Sequence, residues 1–120
     1  MTTVQLGLSL TSPHRPVQDP SCLSEQHRRV LVALLHEGAR GLSAEEAAQR
    51  CRIGDSHVAN TRLYEMAAEN RHRNLEKVPV PLTCRSVKRE RKTAAGISAY
   101  VYWLSDVGRE VASQLIGAAA

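Results

Sequence analysis

Phenylalanine is absent from this 120-residue chain, and one Trp with three Tyr brings the aromatic share to only 3%. A core so poor in aromatics must be filled by Leu, Val and Ala, a composition that leans towards helix. Long apolar runs are missing too: the longest, residues 30–35, has six residues, against the roughly 20 that a spanning helix requires, so no membrane segment is expected. The N-terminus lacks the basic start and apolar block of a secretory signal, which leads to the expectation of a cytoplasmic protein. Cysteine is scarce: Cys22, Cys51 and Cys84 are odd in number and far apart, so reduced thiols are expected rather than a disulfide framework. No two of them stand in C-x₂₋₄-C spacing and the five histidines are scattered, so no metal site is expected. Phosphate-binding loops, dinucleotide glycine patterns and nucleophile elbows are absent as well. Neither an enzyme nor a cofactor is therefore expected.

What is present fits one domain with a single core. The net charge of +4 is unevenly spread. Residues 85–92 hold Arg85, Lys88, Arg89, Arg91 and Lys92 against Glu90 alone, so this stretch carries the whole surplus and the remainder balances. A local basic excess on a neutral background is the pattern of a polyanion-binding element. A solvated basic loop without a partner is the plain alternative.

Along the chain, Val4, Leu6, Leu8 and Leu10 alternate and three prolines follow, so residues 1–22 read as an extended arm and linker. It could pair with the domain, pair with a second subunit or stay disordered. Ser24 is placed to cap a first helix that carries Val30, Leu31, Leu34 and Leu35 and stops at Gly38. Ser43 and Glu46 have the spacing of a capping box, which predicts a short helix over Ala44–Cys51. A turn at Gly54 and a cap at Asp55 then open a helix over residues 56–70, so the pair forms a helix-turn-helix corner with Ile53 plugging its angle. Two strands over residues 82–89 and 97–104 form a hairpin. In the second, Tyr100, Tyr102 and Leu104 share one face, with Val101 and Trp103 on the other. Ser105 and Asp106 cap a last helix with Val107, Val111, Leu115 and Ile116 along one side.

The expected class is α+β, mostly helical, in the order helix, helix, helix, strand, strand, helix. This order resembles a winged-helix domain over residues 23–117. The closing stretch, with Tyr102, Leu104, Ser105, Gly108 and Arg109, resembles the Y-x-L-T-x-x-G-R close of MarR-like and PadR-like bacterial regulators. The chain departs from such regulators in lacking their long dimerisation helices, and residues 88–96 lack the Asp-Arg pair usual near a MarR-type wing tip.

The resemblance implies a double-stranded DNA-binding protein, a small nucleoid-associated transcriptional regulator acting as a homodimer, with residues 56–70 in the major groove. Ala59, Leu63, Met66 and Ala67 cluster on the core side of that helix. Ser56, His57, Asn60, Thr61 and Tyr64, with Arg71 beyond them, then form the outward face, whose side chains suit bases and phosphates. Arg85, Lys88, Arg89, Arg91 and Lys92 make residues 85–96 a basic wing for the backbone. The alternatives are a winged helix that binds a protein partner within a larger assembly, and a low-specificity architectural or replication protein.

Overall fold

The computed structural model describes residues 18–119; the alternating arm at residues 4–10 lies outside them. The fold is α+β, with four helices and a small antiparallel sheet. No helix among the described residues is long and apolar enough to cross a membrane.

Helix α1 (Glu25–Glu37) begins at Ser24, whose hydroxyl accepts from the His27 N–H while the His27 ring accepts from the Ser24 N–H, a capping box with His in the usual place of Glu. It buries Val30, Leu31 and Leu34, and ends at Gly38 with φ 75°. Helix α2 (Ala44–Cys51) has the expected reciprocal box: Ser43 N–H donates to Glu46 at 2.9 Å, and Glu46 N–H to Ser43 at 3.2 Å. The left-handed residue that stops α2 is Arg52 (φ 56°, ψ 40°), where Gly54 was expected to favour the turn. Its N–H, and that of Ile53, still reach the carbonyls of the last α2 turn, and this tight closure requires the turn to reverse at once. Ile53 is buried in the corner.

Asp55 caps α3 (Ser56–Glu65) by accepting from the His57 N–H at 2.8 Å. The helix stops at Glu65, short of the expected residue 70. Beyond it the backbone is taken by a strand instead: Leu82 and Thr83 donate to the Met66 carbonyl, Ala68 donates to Thr83, and the Thr83 hydroxyl donates to the Leu63 carbonyl at 2.8 Å. Arg71 therefore lies in a loop, off the helix.

The strands are β1 (Leu42–Ser43), β2 (Thr83–Arg85), β3 (Arg91–Lys92), β4 (Ser98–Ala99) and β5 (Val101–Leu104). The short β1 was not expected; it makes β5 the centre of a three-stranded antiparallel sheet, ordered β1-β5-β2. Strands pair along both edges of β5, and Val101 and Tyr102, which point to opposite faces, are both buried in place of the expected alternation. The hairpin continues as a separate two-stranded ladder, β3-β4. Between Arg85↔Tyr102 and Arg91↔Ala99 the outgoing strand advances six residues while the returning strand covers three, so residues 86–90 bulge. Ser86 pins the bulge, its backbone N–H donating to the Val101 carbonyl and its hydroxyl accepting from the Val101 N–H.

Helix α4 (Asp106–Ala119) docks through the closing motif. Ser105 donates from its N–H to the Leu82 carbonyl and from its hydroxyl to the Pro81 carbonyl, and accepts from the Gly108 N–H. Gly108 is buried against the Leu82 carbonyl with no room for a β-carbon. Helix α4 then lies on α1 with Val111 and Ala112 buried, while Ile116 is exposed. Fully buried Leu31, Leu42, Leu63 and Leu82 join the helices to the sheet, each contributing about 1.5–3 kcal/mol by leaving water.

Candidate functional site

The core face of α3 is as periodicity places it, with Ala59 and Leu63 fully buried, and Met66 and Ala67, just past the end of the helix, are fully buried as well. The opposite face is not uniformly free. Ser56 and His57 are exposed, and their side chains have no hydrogen-bond partner among the described residues. Asn60 accepts at Oδ1 from the hydroxyl of buried Tyr102 at 2.9 Å, which fixes its amide and leaves its NH₂ donors outward. The Thr61 hydroxyl donates back to the His57 carbonyl, and the Tyr64 hydroxyl to the Glu69 carbonyl at 3.3 Å. Arg62 is spent internally, on Gln26 and Glu65.

Tyr64 begins a stack that runs from α3 into the hairpin. The Arg85 guanidinium lies 5.1 Å from the Tyr64 ring centre and 4.2 Å from that of Tyr100, and Arg89 lies 5.1 Å from Tyr100 on its own account. Each cation gains from the ring quadrupole, and the four side chains hold helix and hairpin in one relative position. Glu69 adds to this by accepting from the Arg85 N–H at 2.8 Å. Arg85 is thus half-buried and its Nε has no partner, so it serves the stack rather than reaching out. Burial is also why the Tyr102 phenol, at the base of the group, is pushed up to about 12.

The remaining hairpin cations divide. Lys88, Arg89 and Lys92 are exposed, as is Arg71 in the loop after α3. Arg91 is turned inward: it donates to the Gly41 and Arg40 carbonyls at 3.0 and 2.8 Å and to the Glu46 carboxylate at 2.8 Å. Burial alone would raise the Glu46 carboxyl, but the Ser43 N–H and the guanidiniums of Arg91 and Arg40 outweigh it and hold the group at about 2. Neighbouring Glu45 accepts from the Ala94 N–H at 3.0 Å. Glu45 and Glu46, in the first turn of α2 where their charge complements the helix dipole, therefore also tether the hairpin. Their distance in sequence from their partners hid that role; so did Tyr100's, whose only signal was an aromatic among cations.

Among the described residues no group of three or more His, Cys, Asp or Glu is gathered for a metal ion. Cys51 is buried and Cys84 half-buried, and burial raises both thiols. Comparison of the chain with family models, curated proteins and solved structures finds no match.

Proposed function

We propose that this chain is a winged-helix protein that binds double-stranded DNA, with α3 in the major groove and the hairpin as the wing. The observation that carries the proposal is the Tyr64–Arg85–Tyr100–Arg89 stack, which fixes the exposed cations Lys88, Arg89 and Lys92 relative to the outward face of α3. Those cations would meet phosphate, as would Arg71, while His57, Asn60 and Thr61 would meet base edges. Arg85 and Arg91 would act by holding the wing. A homodimer acting as a small transcriptional regulator completes the reading, since one such module covers few base pairs.

Fluorescence anisotropy with a random duplex between about 50 and about 200 mM salt is the test. Affinity should fall steeply with salt, and the triple variant Lys88→Ala, Arg89→Ala, Lys92→Ala should flatten the log–log slope by about 2 to 3. No binding at the lowest salt would refute the proposal. Competition by an upstream genomic fragment over random duplex separates a regulator from an architectural protein.

A second reading is favoured by Val87 and Ile97, large apolar side chains left 92% and 65% exposed on the hairpin. They suit a protein partner rather than phosphate. Retained partner binding by the triple variant, with no DNA affinity in the parent, would select it.

A further inference from the structure

A cavity of about 580 Å³ opens between α1, the C-terminal end of α2 and α4. None of its lining residues belongs to α3 or to the hairpin, so it is independent of the DNA-binding proposal. Val32, Ala33 and Leu115 supply apolar surface, while four arginines, Arg28, Arg29, Arg50 and Arg52, also line the space. The volume lies within the range of small-molecule sites, and an apolar wall with a few convergent charges is their usual composition.

The arginines are not consumed by the protein. Arg28 donates through Nη1 to the Leu23 and Pro20 carbonyls, Arg29 through Nη1 to the Cys51 carbonyl at 2.7 Å, and Arg50 through Nη2 to Glu37. A guanidinium has five N–H donors, so each retains others. Among the described residues the Arg52 guanidinium has no hydrogen-bond or ion-pair partner, and Arg52 occupies the left-handed conformation that a glycine would adopt without strain. A strained backbone beneath an unpaired cation at a cavity wall is the kind of placement that function retains. Glu25, 3.7 Å from Arg29, is the one carboxylate among the described lining residues, and His36 and Cys51 complete the lining.

We infer that this cavity binds a small organic anion: an oxyanion head, carboxylate or phosphate, held by the arginine forks, with an aliphatic body on the Val32, Ala33 and Leu115 surface. Forked guanidiniums match either head group in bidentate geometry. Among the described residues no Phe, Tyr or Trp lines the space and His36 is its one ring, so the body is held mainly by contact with aliphatic groups.

Calorimetric titration of the full chain with octanoate, octyl phosphate, octanol and inorganic phosphate tests this. One of the two alkyl anions, or both, should bind saturably with one site per chain, and comparing them identifies the head group. Arg52→Gly should weaken that binding about tenfold or more. The same change relieves the backbone and should leave the melting temperature equal or higher, so misfolding cannot account for the loss. Val32→Glu, which places a like charge in the apolar wall, should abolish binding. The inference is overturned if neither alkyl anion binds, if octanol binds as tightly as octanoate, if inorganic phosphate matches octyl phosphate, or if Arg52→Gly binds unchanged.

Discussion

Tyr102 shows how one side chain serves both core and surface: its ring is fully buried, and its hydroxyl sets the amide of Asn60 on the outer side of α3. Tyr102→Phe deletes that bond and should lower unfolding stability by about 1 kcal/mol, read from the urea midpoint, because a part-buried acceptor loses its donor. Gly108→Ala should cost more, about 1–3 kcal/mol of overpacking read as a fall in melting temperature, since the added methyl meets the rigid Leu82 carbonyl. At this scale the sequence is legible where partners are three residues apart. The Ser43–Glu46 box could be read directly because each group satisfies a neighbour's backbone. Arg91 could not, because its acceptors Arg40, Gly41 and Glu46 lie some fifty, or nearly fifty, residues away and nothing local distinguishes it from Arg89.

Elements were legible by period and obscured by tertiary pairing. The apolar stripe of α3 follows helical spacing, so its core face was readable, but its end is decided by hydrogen bonds from Leu82, Thr83 and Ala68 that no propensity contains. Likewise β5 reads as one strand of a hairpin, while β1, two residues long and distant in sequence, pairs with its other edge. The hairpin is legible as a hairpin, yet its bulge and its ties to α2 are not. Those ties yield a prediction that separates holding from contact. Arg91→Ala should speed amide exchange at Lys92, Thr93 and Ala94 and, under the proposed DNA-binding function, weaken DNA affinity while the salt slope remains that of the parent, because no phosphate contact is removed. A slope reduced as much as in Arg89→Ala would assign Arg91 to phosphate instead.

For the whole molecule, formal charge balance outside residues 85–92 suggested a neutral remainder, but folding sorts those charges in space. Arg28, Arg29, Arg50 and Arg52 meet at one cavity, while Glu45 and Glu46 gather at the hairpin. The α+β class was readable from composition and periodicity; the sorting was not, since it depends on which helices pack. It has a consequence for acid stability. Glu46 has its carboxyl lowered from 4.5 to about 2, so its contribution is fully present above the unfolded value and is lost as pH falls through that interval. Unfolding free energy should decline between those two pH values, and Glu46→Gln should shallow the decline. An equal decline in the variant would place the acid sensitivity elsewhere. A different consequence attaches to the outer side of β2. Thr83 is bonded there through both its N–H and its carbonyl to the chain after α3, and the Arg85 N–H is closed by the Glu69 carboxylate. An intruding strand, whether from a second copy or from a misfolded neighbour, would find no open ladder along that margin, so the sheet is insulated from edge-to-edge polymerisation there by one short loop and a single acid.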